Sequence, residues 1–130
     1  MPEGKTTKAV RAFLKEVNDE IVTGRAAERS YYPAVERLVE AFAPNINAQI
    51  EQAGEASTPD FGVERRKNRI GVIEVKEPRV SLAEIEKAAA AGRADHNAEQ
   101  FNRYLREYDN LLYTNLLEWR RYRHHAAEPV

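Results

Sequence analysis

The sequence predicts an α/β fold of the α+β kind, with two helices, a β-rich middle, two further helices and a final pair of strands. Three observations predict it. Apolar residues near the N-terminus recur every three or four positions, as on one face of a helix. Between residues 46 and 76 the pattern changes to alternation and short β-rich runs, as in strands. Helical spacing returns after residue 81, before two more strand-like runs.

The first two elements are helices. An apolar stripe runs from Thr6 to about Val22, and Gly24 ends that helix. The second helix has Pro33 in its first turn, where a missing N–H costs little. Its buried face consists of small and aliphatic residues and one aromatic residue: Ala34, Val35, Leu38, Val39 and Phe42.

The middle of the chain predicts three strands. Residues 46–51 alternate between apolar and polar side chains, as in a half-buried strand. Two β-rich runs follow, residues 60–64 and 70–76, on either side of the charged segment 65–69. Such a pair of runs around a short polar turn predicts a β-hairpin.

The last part returns to helix and then to strand. A capping box begins at Ser81 and predicts a helix that ends near Gly92, and Asp95 can cap the next helix. Residues 110–113 and 116–122 predict two strands joined by a two-residue turn at Thr114 and Asn115.

Length and composition limit the possible functions. The 130 residues, with 20 Lys and Arg against 21 Asp and Glu, predict one domain over residues 1–123 and a tail or linker start at 124–130. No apolar run is long enough for a membrane helix, and no secretion signal or cysteine is present. We therefore expect a cytoplasmic protein without membrane contact. The sequence has no glycine-rich phosphate loop, so we do not expect it to bind ATP or a dinucleotide.

One group of side chains predicts chemistry. Strand alternation puts Glu74 and Lys76 on one face, and a hairpin brings Asp60 beside Glu74. Two carboxylates so close repel each other unless a cation lies between them, and Mg²⁺ or Mn²⁺ suits oxygen ligands. Lys76 would then face the same site. The alternative is a surface ion pair on an edge strand, with no chemical role.

These residues resemble a known family. Asp60 within Pro-Asp-Phe, Glu74 and Lys76 within Ile-Glu-Val-Lys, and Gln100 with Tyr104 resemble the motifs of the PD-(D/E)XK nuclease superfamily. The order of motifs is most similar to that of the N-terminal nuclease domain of single-chain type IIG and type I-SP restriction–modification enzymes. Three further blocks share in the resemblance: Glu28–Tyr32, Leu111–Asn115 and Glu118–Tyr122.

The resemblance implies a fold and a set of roles. The fold would be a restriction-endonuclease-like mixed β-sheet flanked by helices, with the active site along the hairpin edge. Asp60 and Glu74 would hold the metal and Lys76 would serve the attacking water, while Gln100 and Tyr104 would lie beside the metal and the scissile strand. Glu28 would complete the metal site. Core packing is the alternative for Tyr104, and a favourable first-turn charge is the alternative for Glu28.

The function implied is that of a Mg²⁺-dependent DNA endonuclease domain. Its partners would be DNA and methyltransferase, helicase or target-recognition domains in the same chain or another. Because the net charge is only −1, most of the affinity for DNA would come from those domains. Two alternatives stay open: a non-catalytic DNA-binding or assembly module with a nuclease fold, and a RecB-like exonuclease domain.

The remaining charged and histidine residues have simpler interpretations. The segment 65–69 is expected to be a solvated hairpin tip, with phosphate contact as the alternative. Arg120, Arg121 and Arg123 could extend a basic strip, and the pair His124 and His125 is expected to be solvated. His96 lies near a helix start without an obvious partner.

Overall fold

The computed structural model describes residues 4–24, 26–51 and 58–123. Within these ranges the chain forms a mixed α/β structure of four α-helices and one five-stranded sheet, which confirms the predicted fold class. The helices are α1 (Lys5–Val22), α2 (Tyr32–Ala41), α3 (Leu82–Ala90) and α4 (His96–Glu107), and a 3-10 turn (Glu28–Tyr31) precedes α2. The strands are β1 (Ile46–Ile50), β2 (Phe61–Arg65), β3 (Asn68–Val75), β4 (Asn110–Thr114) and β5 (Trp119–Arg123).

The strands follow one another in the sheet in the order β1-β2-β3-β4-β5. The pairs β1–β2, β2–β3 and β4–β5 are antiparallel, whereas β3 and β4 are parallel and are connected by α3 and α4. A helical pair covers each face: α1 and α2 pack on Val75 and its neighbours, and α3 and α4 pack on Val72. The third strand is therefore central in the sheet, and its C-terminal half is buried on both faces.

The helix signals in the second half of the sequence are confirmed. The Ser81 side chain accepts a hydrogen bond from the Glu84 N–H (3.2 Å), and the Asp95 side chain accepts one from the Ala98 N–H (2.8 Å). Gly92 has a φ of +68°, the left-handed conformation that a helix C-terminus favours. The Asp95 cap fixes the beginning of α4, whose first turn lies near the C-terminal end of β3.

The hairpin turn is shorter than expected. Residues 65–69 do not form the turn together, because Arg65 pairs with Asn68 and only Arg66 and Lys67 lie between the strands. Both have positive φ, 50° and 72°, as a two-residue type I′ turn requires. Its backbone twist matches that of the paired strands, so both strands extend into the charged segment without the usual Asn-Gly signal.

The connection between β4 and β5 also differs from the prediction. The strand expected at residues 116–122 begins at Trp119, and residues 115–118 form the turn. Leu116 takes a φ of 78° and buries its side chain in the core under α1 and α2. Asn115 stabilises the turn: its Oδ1 accepts hydrogen bonds from the N–H groups of Leu117 (3.1 Å) and Glu118 (2.8 Å).

The structure tests the expectation of no membrane helix within the described ranges, and it does not test the expected tail. No helix within the described ranges is both long and apolar enough to span a membrane. The tail at 124–130, with His124 and His125, lies outside the described residues.

Replacement of Asn115 by Ala should destabilise the domain. The side chain is 8% exposed, and its Nδ2 also donates to the Val80 carbonyl (2.8 Å), so Ala leaves three backbone groups without their partner. We expect a loss of about 1–3 kcal/mol in the free energy of unfolding, measured by urea titration. Asn47→Ala on the exposed face of β1 is the control. Equal stability of the two variants would contradict this account of the turn.

Candidate active site

A polar cavity of about 360 Å³ lies where β3 ends and β2 begins, at the open end of the hairpin. Five residues that the sequence analysis selected line it: Glu28, Asp60, Glu74, Lys76 and Gln100. Four polar residues that were not selected join them: Thr58, Glu77, His96 and Asn97. The structure therefore brings four carboxylates, one lysine and two side-chain amides to one opening, with an excess of negative charge.

Asp60 and Glu74 are held together by backbone and side-chain hydrogen bonds. The Asp60 N–H donates to Glu74 Oε1 (3.2 Å), and the Val75 N–H donates to Asp60 Oδ2 (2.8 Å). Asp60 directly precedes β2, and Phe61 pairs with Ile73 in the register of the hairpin. The two acids are thus neighbours because the hairpin register makes them so.

Glu74 and Lys76 are buried, with 4% and 6% of their surfaces exposed. Lys76 Nζ lies 3.2 Å from Glu74 Oε2, and Val75 between them points into the opposite core. The alternative of a surface ion pair on an edge strand is wrong, because β3 is the central strand. A buried acid and amine are costly unless each finds hydrogen-bond partners.

Lys76 finds further partners on α4. Its Nζ donates to Gln100 Oε1 (2.8 Å) and to Asn97 Oδ1 (3.1 Å), and its backbone N–H donates to the Thr114 carbonyl of β4 (2.8 Å). Two strands and a helix therefore meet at this side chain: β3 precedes it, β4 holds its backbone, and α4 holds its amine.

The carboxyl groups of the cavity affect one another's protonation. Burial and the neighbouring charge of Asp60 raise the pKa of Glu74 above its usual value, while Lys76 opposes the increase. Burial, followed by the charge of Asp60, also raises the pKa of Glu28, which lies in the 3-10 turn. In both cases burial, which disfavours the charged form, is the larger cause, and the neighbouring carboxylate adds to it.

Tyr32 is a site residue that the sequence analysis did not select. Its hydroxyl donates to Asp60 Oδ1, and its ring packs edge-on against Phe61 at 5.0 Å between ring centres. Burial and the bond to Asp60 raise the pKa of Tyr32. With Val75 bound to the other oxygen, both oxygens of Asp60 are fixed by donors. Tyr32 lies in the block Glu28–Tyr32, which takes part in the resemblance described above. That block was the one signal in the sequence that could have selected Tyr32.

Gln100 and Tyr104 are separated although they lie one turn apart on α4. Gln100 lines the cavity, whereas Tyr104 is completely buried in the core between α3, α4 and the sheet. Tyr104 packs edge-on against Tyr108 (5.7 Å), and the Arg103 guanidinium lies over its ring. Burial, followed by the charge of Glu74, raises the pKa of Tyr104. Tyr104 therefore does not line the cavity that holds the acids, and its part in the site stays a prediction.

Basic side chains gather at the other end of the sheet. Arg65 and Arg121 line one open groove at the hairpin-tip end, far along β3 from Glu74. Arg120 does not extend this strip, because it pairs with Glu86 (2.7 Å) and Glu118 (2.8 Å) beside α3. Exposed arginines remain near the hairpin tip, so contact with phosphate there stays a prediction.

The donor set fits a hard divalent cation. Within the described ranges, no three His, Cys, Asp or Glu side chains already stand together as a metal-binding group. Mg²⁺, however, is commonly held by one or two carboxylates with water and substrate oxygens completing its shell. Asp60 and Glu74 supply two such carboxylates, and Glu28 opens onto the same cavity. The fit therefore rests on the chemistry and closeness of these carboxylates, which the bond from the Asp60 N–H to Glu74 Oε1 holds side by side.

Comparison with known proteins gave no relative from which to assign the chain. No protein-family model matches it, and neither the curated proteins nor the solved structures gave a significant match. The functional interpretation therefore depends on the site itself.

The raised pKa of Glu74 should make stability depend on pH. Since folding raises this pKa, the folded state binds the proton more tightly than the unfolded state, and stability falls as pH rises above the ordinary value. In metal-free buffer, the stability of wild type relative to Glu74→Gln should therefore decrease between about pH 5 and pH 8, with a slope of at most about 1.4 kcal/mol per pH unit.

Urea titration across that range measures the effect. Glu99→Gln, on the exposed side of α4, is the control for loss of one carboxylate. A difference between wild type and Glu74→Gln that stays constant or grows with pH would show that burial does not hold the proton on Glu74.

Proposed function

We propose that this chain is a Mg²⁺-dependent DNA endonuclease domain of the PD-(D/E)XK kind, belonging to a cytoplasmic restriction–modification enzyme. The observation that carries the proposal is the buried pair Glu74 and Lys76, which opens onto the same cavity as Asp60. DNA is proposed as the substrate because the order of motifs in the chain resembles that of DNA nucleases; no known relative supports the choice.

The arrangement is poorly explained by stability alone. Burying an acid and an amine removes both from water, and apolar residues of similar volume often stabilise a fold equally well or better. Here the pair opens onto a cavity lined with additional acids instead of being enclosed by apolar side chains. A site for a cation and an anionic substrate accounts for that arrangement.

Asp60 and Glu74 would hold the cation, with Glu28 as a further oxygen ligand. When bound, the ion would supply charge neutralisation at the phosphate and an activated water. Asp60 would contribute a fixed carboxylate, because Tyr32 and Val75 already orient both of its oxygens. Glu74 would give up its proton as the cation binds, since a ligating carboxylate must be ionised.

Lys76 would stabilise the phosphate through its charge and its N–H groups. The amine faces oxygen atoms of Glu74, Asn97 and Gln100, which fix its position beside the acids. Lys76 would orient the water and the scissile phosphate, and Gln100 would hold it in position.

Binding to DNA would depend on additional domains. The formal charge of −1 provides little long-range attraction for a polyanion, and the cavity itself carries an excess of acids. Methyltransferase, helicase or target-recognition domains in the same chain or a partner would supply most of the affinity. The exposed arginines at the hairpin tip would add a smaller contribution.

Cleavage of supercoiled plasmid with Mg²⁺ tests the proposal. Asp60→Asn and Lys76→Met should each reduce the rate at least about 100-fold, because one removes a cation ligand and the other the charge beside the phosphate. Asp109→Asn and Lys87→Met, both on exposed positions, are the matched controls and should cut as wild type does. Circular dichroism checks that all four fold.

Undiminished cutting by both site variants would overturn the proposal. Circular DNA also separates the endonuclease from a RecB-like exonuclease, since an exonuclease needs an end and would degrade only linear DNA.

Divalent ions should stabilise the domain through the same acids. Any ion that binds only the folded state raises the melting temperature as its concentration rises above the dissociation constant. We expect Mg²⁺ or Mn²⁺ to raise the melting temperature of wild type and of Asp109→Asn, and to leave Asp60→Asn unchanged. A non-catalytic module would show no ion-dependent stabilisation and no cleavage, and that pair of results would favour the alternative.

A further inference from the structure

The amine of Lys76 has three N–H bonds and three oxygen partners. Glu74 Oε2 lies 3.2 Å away, Asn97 Oδ1 3.1 Å and Gln100 Oε1 2.8 Å. A lysine amine has donors and no acceptor: two of these contacts are hydrogen bonds to amide oxygens, and the contact with Glu74 is an ion pair. Because the residue is only 6% exposed, few water molecules can replace these partners.

Two of the three partners belong to one turn of α4. Asn97 and Gln100 are three positions apart, so their side chains share a helix face. Asp95 caps the helix in front of them, and Ala98 and Phe101 anchor it in the core. The two amides are therefore held by the fold, independently of the acids in the cavity.

The third partner belongs to the acid pair. Glu74 accepts from the Asp60 N–H through Oε1 and faces Lys76 through Oε2. A cation bound by Asp60 and Glu74 would compete for these oxygens, whereas the neutral amide oxygens of Asn97 and Gln100 would keep their bonds to the amine. One N–H of Lys76 would then be free to reach a phosphate oxygen.

We propose that Asn97 is a positioning residue, which with Gln100 fixes two N–H bonds of Lys76 and so directs the third towards the scissile phosphate. The proposal rests on the nuclease function proposed above. Neither a motif nor the resemblance assigns a role to Asn97. It acts through Lys76 rather than by touching the substrate.

Steady-state cleavage of plasmid DNA gives the first test. Asn97→Ala should lower kcat about 10- to 100-fold, as small misplacements of reacting groups do, with KM and the Mg²⁺ midpoint little changed. Asn97→Asp keeps an oxygen acceptor of the same reach and should retain most of the wild-type kcat.

Asn102→Ala is the matched control. It lies on the same helix and loses a hydrogen bond to the Ala89 carbonyl (3.1 Å), away from the cavity, so its kcat should stay at the wild-type value.

A second measurement does not depend on catalysis. A buried lysine amine with three acceptors exchanges its protons slowly and should give a ¹H–¹⁵N signal in the metal-free protein, assigned by its loss in Lys76→Met. Asn97→Ala should broaden or remove that signal, whereas Asn97→Asp and Asn102→Ala should keep it.

The outcomes separate the two proposals. If wild type cuts DNA and Asn97→Ala cuts equally well, or loses kcat while the Lys76 signal stays unchanged, the role of Asn97 is wrong and the nuclease function stands. If wild type shows the lysine signal but is neither stabilised by Mg²⁺ or Mn²⁺ nor able to cut DNA at high protein concentration and low salt, the nuclease function is wrong, and with it any role of Asn97 in cleavage.

Discussion

Burial of Glu74 and Lys76 at the end of the central strand is the constraint to which the rest of the site responds. Neither group can stay in the interior without partners, and the protein supplies them from three separate segments. Asp60, directly before β2, gives a backbone N–H, β4 gives a carbonyl to the Lys76 backbone, and α4 gives two amide oxygens. These partners replace the water that burial removes from both groups.

The topology makes this convergence possible. Because β3 and β4 are parallel, the chain must cross over between them, and the crossover consists of α3 and α4. That connection returns the first turn of α4 to the C-terminal end of β3, where the acids lie. The opposite face is closed by α1 and α2, and the latter carries Tyr32 to Asp60. The 3-10 turn before α2 adds Glu28 to the lining of the cavity, and α4 adds Asn97 and Gln100.

Helices, strands and neighbouring residues that depend on local sequence patterns could be predicted. Contacts that depend on tertiary packing could not. Ser81 and Asp95 have the side chains of helix caps, so α3 and α4 could be located in advance. Strand alternation and the hairpin were enough to bring Asp60, Glu74 and Lys76 together. The burial of the pair could not be predicted, because only the parallel pairing with β4 makes β3 a central strand.

Long-range contacts account for the remaining differences. Tyr32 lies 28 residues before Asp60, and Asn97 lies 21 residues after Lys76, so no local pattern relates either residue to the acids. The late start of β5, at Trp119 instead of residue 116, has a similar cause. Leu116 lies in the turn, and its side chain fills the core beneath the first two helices. In each case tertiary packing decides what the local sequence leaves open.

The central claim is that Asp60 and Glu74 form a cation site beside a lysine that is held by neutral amides. A crystal structure grown with Mn²⁺ tests it most directly, through the anomalous scattering of the metal. The account predicts a peak in the cavity bonded to oxygens of Asp60 and Glu74, with Lys76 still bound to Asn97 and Gln100. A cavity without a peak at saturating Mn²⁺, or a peak bound elsewhere with Glu74 and Lys76 unchanged, would contradict it.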